Sequence, residues 1–491
     1  MTKASESAFQ RYVPLACWAI AILSALLICL KIISYGYLPG GDARRHVARA
    51  FSDKPFRDIV VMKPFYVVDH SVGWEGLLRV VRHLTGASED SLMSFSVASF
   101  LALLLCAPLF FLRRPEAWLA AVMAQVIAIP ELPARWTQGR PFLLTEAILI
   151  CLLLVWSRES ARQPSRRLIL GSFIAFTLSV WMHGAWYLWL LLPVAFCFAQ
   201  RWQAALCLTI CWLGGAVAGS LLTGHPIAFL KEQVMIVQSI RSERLPSRLL
   251  VGEMRPHDGE FASVAMLAAI YLWGRVRKIN SPPVATQPAF WLLLIGWTLG
   301  FLGDRFWADW GLPAGLVWMA LQFDEIMTGL WSDLARLRVL ACAAIALPLL
   351  LDATNNLGER YTASLREWFV DGSAPELQGW MPDPGGIFYS AQMQFFYNTF
   401  YANPRGDWRY ILGFEPALMP DEDLKILRLI QLSGFSPDAY QPWLKKMRPI
   451  DRLEMDSQEQ PNIPGLEWKR AIGYVWIGRL PHSIVAPKQK S

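Results

Sequence analysis

Long apolar runs constrain this chain more than any other feature of its sequence. A hydrocarbon core of about 30 Å needs roughly 20 apolar residues per helix. By that ruler the chain offers about eleven spans, near residues 13–33, 91–112, 116–130, 141–156, 168–182, 185–200, 203–222, 262–274, 288–303, 311–330 and 337–351. Hydrophobic residues make up 54% of the chain and charged residues 17%, a balance too apolar for a water-soluble fold, so the expected class is a polytopic α-helical membrane protein. Tryptophans near run ends, among them Trp18, Trp118, Trp186 and Trp202, suit the boundary between water and lipid. The formal net charge of +7 needs no nucleic acid to explain it, because the basic residues gather in short loops.

Those loops give an orientation. With Lys3 and Arg11 on the cytoplasmic side, the other inner loops are Arg113-Arg114, 158–167, Arg201, 275–278 and 336–338, and each is basic. The short outer loops carry only Arg135, Arg140 and Arg305. The orientation requires the stretch from Arg167 to Arg201 to be two short helices turning at His183-Gly184; a single span would turn the basic 275–278 loop outward. It leaves three large outer regions, 34–90, 223–261 and 352–491, and puts all seven histidines (His46, His70, His83, His183, His225, His257, His482) on the outer side. The first run is longer than a signal-peptide core and lacks a cleavage site of small residues, so it reads as a retained signal-anchor. The eight cysteines all lie in apolar runs, where they read as small hydrophobes rather than disulfide partners or thiolate ligands.

The densest polar cluster follows the first run at once: Gly40-Gly41-Asp42-Ala43-Arg44-Arg45-His46-Val47-Ala48-Arg49. If Asp42 opens a helix, Arg45, His46 and Arg49 at i+3, i+4 and i+7 share its face. That is a catalytic-type grouping, and the alternative is that Asp42 merely caps the helix. Asp69-His70, farther along the same outer region, offers a second acid and base. Residues 72–84 place Trp74, Leu77, Leu78, Val81 and Leu84 on one helical face, and residues 227–240 repeat the pattern before Arg241, Arg244 and Arg248, a basic loop that could form a lid. His183, between tryptophans at the turn of two short spans, is a polar group at membrane depth and therefore a functional candidate. Asp324 and Glu325 fall at the inner end of the tenth span, away from these groups.

After Leu351 the composition becomes that of a globular domain. Residues 387–390, 408–412 and 472–477 read as strands and 391–401 and 421–432 as helices, which makes an α/β domain without a phosphate loop or paired-cysteine metal site.

This layout, with Asp42 just after the first helix, resembles the GT-C superfamily of membrane glycosyltransferases, which includes oligosaccharyltransferase catalytic subunits, protein O-mannosyltransferases and aminoarabinose transferases. The resemblance implies a GT-C-like transmembrane domain, 1–351, and a periplasmic α/β domain, 352–491, in a bacterial inner membrane. It implies transfer of a sugar from a polyprenyl-phosphate-linked donor to a lipid, glycan or protein acceptor on the periplasmic face. Asp42 would be the base, or a ligand if a divalent metal takes part; many relatives carry adjacent or further acids, whereas Gly41-Asp42-Ala43 carries one, so metal dependence stays open. Sugar transfer from a lipid phosphate also needs cations on the leaving group, and arginine binds phosphate oxygens in a fork. The candidates are Arg44, Arg45, Arg135, Arg140 and Arg305, with His46, Asp69, His70 and His183 as further site residues. The rival readings are a transporter or flippase for a lipid-linked glycan, a polysaccharide polymerase or ligase, and a non-enzymatic scaffold; no repeat between the halves favours the transporter. Reporters fused after Asp352 and at Gly259 are expected to signal an extracytoplasmic position, and a cytoplasmic signal at either would overturn the orientation.

Overall fold

A computed structural model describes residues 3–159, 164–242, 245, 252–276, 282–330 and 335–481. Arg244, Arg248, Arg277, Lys278 and His482 lie outside the described residues. Each apolar stretch is helical: Lys3–Ser34, Glu89–Cys106, Pro115–Ala128, Phe142–Arg158, Arg166–Met182, Leu191–Phe198, Trp202–Leu221, Phe261–Val276, Pro288–Gly300, Leu312–Leu330 and Ala335–Thr354. Among the described residues, four segments, Tyr12–Ser34, Glu89–Phe111, Trp202–Leu221 and Leu337–Thr354, are long and apolar enough to cross a membrane. The others are shorter or less apolar; 3-10 turns lengthen some helices, Ala107–Phe111 continuing Glu89–Cys106 and Trp186–Leu190 leading into Leu191–Phe198. All eight cysteines are free thiols. Trp118, expected at a membrane boundary, is instead buried, its indole N–H donating to the Leu105 carbonyl at 2.9 Å.

The helix Arg166–Met182 stops at His183, whose backbone is extended, and the next helix begins after the Trp186–Leu190 turn. Gly184 makes the break possible by close approach. A Cβ there would sit 2.9 Å from the Cβ of His70, and its N–H donates to the His70 carbonyl at 2.8 Å. The turn is thereby docked on the first outer segment. Small residues set helix spacing in the same way elsewhere: Gly215 and Gly219 let Trp202–Leu221 lie directly against Arg166–Met182.

The C-terminal part carries a five-stranded sheet of order β2-β1-β3-β5-β4, with β1 Ile387–Tyr389, β2 Arg409–Tyr410, β3 Arg452–Asp456, β4 Glu467–Ile472 and β5 Val475–Arg479. β1 runs parallel to β2 and β3, and the other pairs are antiparallel. The helix Met393–Ala402 covers one face, where Phe388, Phe396, Tyr410 and Ile477 pack together. Asp421–Leu432 and Gln441–Lys446 cover the other, around Tyr389, Leu427, Trp443 and Leu453. Residues 472–477, expected as one strand, are divided by the β4–β5 hairpin: Ile472 ends β4, Gly473-Tyr474 make the turn, and residues 475–477 open β5. Gly473 takes φ 52° at the first turn position, which a two-residue hairpin favours.

The segment 34–90 is built into this sheet rather than lying apart from it. Val60 forms a bridge with Tyr410 beyond β2, closed by Val61 N–H to Tyr410 O at 2.9 Å and Tyr410 N–H to Ile59 O at 2.8 Å. Ala48, Phe56, Ile59 and Tyr66 join the hydrophobic cluster under the sheet. The Val72–Thr85 helix buries Trp74 and Leu78 in the helical body, while Leu84 faces outward. The polar helix Asp42–Phe51 is therefore clamped between the membrane helices and the C-terminal sheet. Gly215→Ala tests the helix packing: its new Cβ would lie 2.6 Å from the Phe176 Cβ and 3.0 Å from the Thr177 nitrogen. An overpacking cost of about 1–3 kcal/mol is expected as a lower melting temperature in detergent, and an unchanged melt would count against this close approach.

Candidate active site

Asp42 is the first residue of its helix, and Gly41, at φ 68° and ψ −137°, occupies the cap position without a side-chain cap bond. Only glycine adopts that conformation readily. The capping alternative for Asp42 is thus corrected: its carboxylate faces side chains, not the helix N–H groups. Asp42 accepts from Arg45 Nε at 2.7 Å and lies 3.2 Å from His46 Nε2 and 3.8 Å from Arg140 Nε. Burial acts to raise its pKa, but Arg45, His46 and Arg140 outweigh it and hold the carboxyl well below the usual carboxylate range.

Eight of the ten residues of this helix are buried, Arg44, Arg45 and His46 among them. Arg45 donates to Asp42 and to Asp69, with Glu75 at 3.5 Å, and its guanidinium lies 4.0 Å from the centre of the Phe414 ring. His46 spans two carboxylates, its Nδ1 lying 3.2 Å from Glu75. Burial and Arg45 oppose protonation of His46, yet Asp42 and Glu75 more than offset them and raise its pKa. Arg49 pairs with the other Glu75 oxygen at 3.3 Å. Three carboxylates (Asp42, Asp69, Glu75) thus meet three cations (Arg45, His46, Arg49), and the buried cluster is neutral.

Asp42 opens onto a cavity of about 530 Å³ between the helical body and the C-terminal sheet. Five of the sequence candidates, Asp42, His70, Arg140, His183 and Arg305, line it together although they come from four separate segments. Arg140 donates to Glu253. Arg305 Nε donates to Asp309 at 3.0 Å, and Arg305 Nη2 lies 3.2 Å from His183 Nε2. Arg140 Nη2 and Arg305 Nη1 have no protein partner among the described residues, so each arginine keeps donors for a ligand. Burial pushes His70 down to about 4, with Arg45 and His46 acting in the same direction against Asp69, and keeps its ring neutral near pH 7. Tyr397, Glu415 and Arg428 of the C-terminal part complete the wall. An apolar recess of about 200 Å³ adjoins at Tyr187, Met254 and Arg305 and runs to Leu302 and Phe306. A larger space of about 890 Å³ lies elsewhere in the chain, among Arg158, Arg201 and Gln287, and includes none of these side chains.

The remaining candidates sit behind the cavity wall. Arg44 is fully buried and donates to Glu367 and to Asn398. Asp69 is bound to Arg45 and accepts the Ser71 N–H at 3.1 Å. Arg135 donates to Asp309 and lies 4.0 Å from Glu146. Glu75, Glu253, Asp309 and Glu146 were not singled out from sequence. Asp309 and Glu146 carried a signal, as acids within or beside apolar runs, and Asp309 lies four residues from Arg305. Glu75 and Glu253 carried none, since their partners are remote in sequence. Burial acts to raise Glu253, but Arg140, Arg305 and Arg135 bring it down to about 2. For a divalent metal the fit is poor: cationic side chains surround the Asp42 carboxylate, and no group of three His, Cys, Asp or Glu ligands occurs among the described residues.

No family model and no curated protein matches the sequence. Solved structures do. ArnT from Cupriavidus metallidurans bound to undecaprenyl phosphate matches with a TM-score of 0.52 and 12% identity over 98% of this chain and 99% of that one. An Archaeoglobus fulgidus oligosaccharyltransferase in complex with Zn and sulfate matches with a TM-score of 0.44 and 13% identity over 89% and 68% of the two chains. The likeness to ArnT shows the fold, a GT-C-like one, over the whole chain.

The neutral buried cluster predicts a specific sensitivity. Arg45→Ala leaves three carboxylates with too few cations in a dry site, and removing one partner of a buried ion pair costs about 3–5 kcal/mol. A large fall in melting temperature of the purified protein is expected. A wild-type melt would show that the cluster does not hold the Asp42 helix in place.

Proposed function

We propose that the chain is a membrane glycosyltransferase that moves a sugar from a polyprenyl-phosphate-linked donor to a lipid, glycan or protein acceptor. The observation that carries the reading is the convergence of Asp42, Arg140 and Arg305 on one cavity beside an apolar recess. An acceptor of protons and two arginines with spare donors are what glycosyl transfer from a lipid phosphate requires. The GT-C-like fold supports it, as does undecaprenyl phosphate in the ArnT structure.

In the proposed reaction the acceptor oxygen attacks the anomeric carbon, the bond from that carbon to the phosphate oxygen breaks, and the polyprenyl phosphate leaves. Arg140 and Arg305 bind the phosphate and take up the charge that develops on it. The recess at Leu302 and Phe306 receives the first isoprene units. Asp42 accepts the acceptor's proton. Its basicity is low because Arg45, His46 and Arg140 hold it ionised, so it serves first to orient the hydroxyl. Proton transfer follows as the new bond makes that oxygen acidic. Arg45 and His46 set the position of Asp42, while Arg44 and Arg135 act at longer range through their carboxylate partners.

The eleven helices would then all span a bacterial inner membrane, with the N-terminus cytoplasmic. Residues 352–491 would form a periplasmic domain over the cavity, and surrounding membrane lipids would line the mouth of the recess. The basic-loop pattern supports that orientation. Nucleic acid has no part in the reading.

Asp42→Asn is the decisive variant. The Asn oxygen still accepts from Arg45 Nε, so the helix stays docked, but an amide takes up no proton. Loss of a general base lowers rates by about 10²- to 10⁴-fold. Transfer from a radiolabelled polyprenyl-phosphate sugar should fall by that order while undecaprenyl phosphate binding persists. Transfer near the wild-type rate would remove Asp42 from the chemistry and, with it, the main support for this function.

A further inference from the structure

A second depression, of about 720 Å³, adjoins Gly41 between residues 40–41 and the C-terminal sheet, with Asp456 and Tyr474 in its lining. Gly41 lines both spaces. A ligand in the groove is therefore separated from Asp42 by a residue without a side chain. A Cβ built on Gly41 would meet no atom within 4 Å, so the space beside it is open.

The chemistry of the groove differs from that of the cavity. Two aromatic rings, Trp368 and Tyr474, stand 5.2 Å apart at 51° and are each nearly half exposed. Trp368 is seated against Gly473, where an added Cβ would come within 1.7 Å of the ring. Facing Gly40, the Glu367 carboxylate and the Gln394 amide are tied together, Gln394 Nε2 donating to Glu367 Oε2 at 3.2 Å and to Asn398 Oδ1 at 2.8 Å. Those bonds use the donors of Gln394 and one oxygen of Glu367. Glu367 Oε1 and Gln394 Oε1 remain as acceptors without a protein partner among the described residues, and Asp456 adds a further carboxylate at the rim. Of the two guanidiniums here, Arg44 is buried behind Glu367 and bonded to its Oε2, and the exposed Arg366 is paired with Glu359.

A groove that presents aromatic faces and spare hydrogen-bond acceptors, and whose two guanidiniums are already paired with carboxylates, suits a ligand rich in O–H donors better than a phosphate-dense one. We propose that this groove binds the glycan portion of the acceptor, an uncharged and hydroxyl-rich chain, and delivers one hydroxyl past Gly41 to Asp42. The proposal rests on the transferase reading and narrows its acceptor to a neutral saccharide. The sugar rings stack on Trp368 and Tyr474, and their hydroxyls donate to Glu367, Gln394 and Asp456. Donor and acceptor thus approach Asp42 through two different spaces, the anionic one through arginines and the neutral one through carboxylates and aromatics.

The test uses the full chain in detergent with maltotetraose and chitotetraose as neutral probes, inositol hexakisphosphate as a phosphate-dense one, and undecaprenyl phosphate as the donor-side control. Saturation-transfer NMR and competition titrations give the affinities. At least one tetrasaccharide should bind the wild type, and Tyr474→Ala and Gln394→Ala should each weaken it about tenfold. Undecaprenyl phosphate binding should survive both variants and be lost in Arg140→Ala. Binding of neither tetrasaccharide, binding untouched by the groove variants, or a preference of the groove for inositol hexakisphosphate would each overturn the proposal. Failure of the transferase reading has a different signature, a wild type that binds no undecaprenyl phosphate whatever the groove does.

Discussion

A single buried guanidinium organises the region where the helical body meets the C-terminal sheet. Arg45 reaches carboxylates from three places in the chain, Asp42 on its own helix, Asp69 in the following loop and Glu75 on the next helix. Taking charges out of water is costly, and a buried ion cluster seldom stabilises a fold more than packed hydrocarbon would. What the cluster contributes is position. Each carboxylate is held by a directional bond to a group that cannot lose its charge, so Asp42 is fixed in orientation and kept ionised together. Since His46 and Arg49 balance the remaining charge, the arrangement is neutral as a whole and tolerable without solvent.

That fixed helix explains why the C-terminal sheet belongs to the site rather than merely following the membrane region. The segment after the Asp42 helix extends the sheet at Val60, and Arg44 crosses to Glu367 and Asn398. Phe414, from the C-terminal part, lies over Arg45, and Tyr397 lines the cavity. Two elements far apart in sequence thus meet at one wall. Displacing the sheet would uncover the buried cations and lose the hydrogen bonds that hold the first outer segment, so the two parts are coupled through the site itself.

What was legible in the sequence follows from the range of each interaction. The apolar helices were legible because hydrocarbon thickness imposes a length and because water-facing ends change composition abruptly. The break at His183-Gly184 was legible from loop charge, and Asp421–Leu432 from its helical period. The grouping of Asp42, Arg45, His46 and Arg49 on one helical face came from local spacing alone. Burial of Arg44 and Arg45 did not, because a run of arginines reads as a surface unless its acids are known, and apart from Asp42 those acids are 24 to 323 residues away. β3 escaped notice for a related reason: Arg452 and Glu454 are charged yet buried, so its alternation reads as a solvated edge. The β4–β5 turn was hidden because Ile472-Gly473-Tyr474-Val475 keeps strand-like residues through the bend, and only the Trp368 ring against Gly473 shows why a side chain is absent there.

The distribution of charge around Asp42 also bears on how two substrates could be kept apart. A polyprenyl phosphate and a glycan differ most in charge, and the two spaces that meet at Gly41 differ in the same respect. The cavity side offers arginine N–H groups not fully used by Glu253 and Asp309, whereas the groove side offers a Glu367 oxygen not used by Arg44 or Gln394, and the amide oxygen of Gln394. An anion placed in the groove would face Glu367 and Asp456, and a neutral sugar placed at Arg140 would leave a guanidinium unsatisfied. Discrimination of this kind comes from the penalty on the wrong occupant as much as from contacts to the right one. Asp42 stands where the two fields meet; of the cations that keep it ionised, Arg45 and His46 lie behind it, while Arg140 faces the cavity.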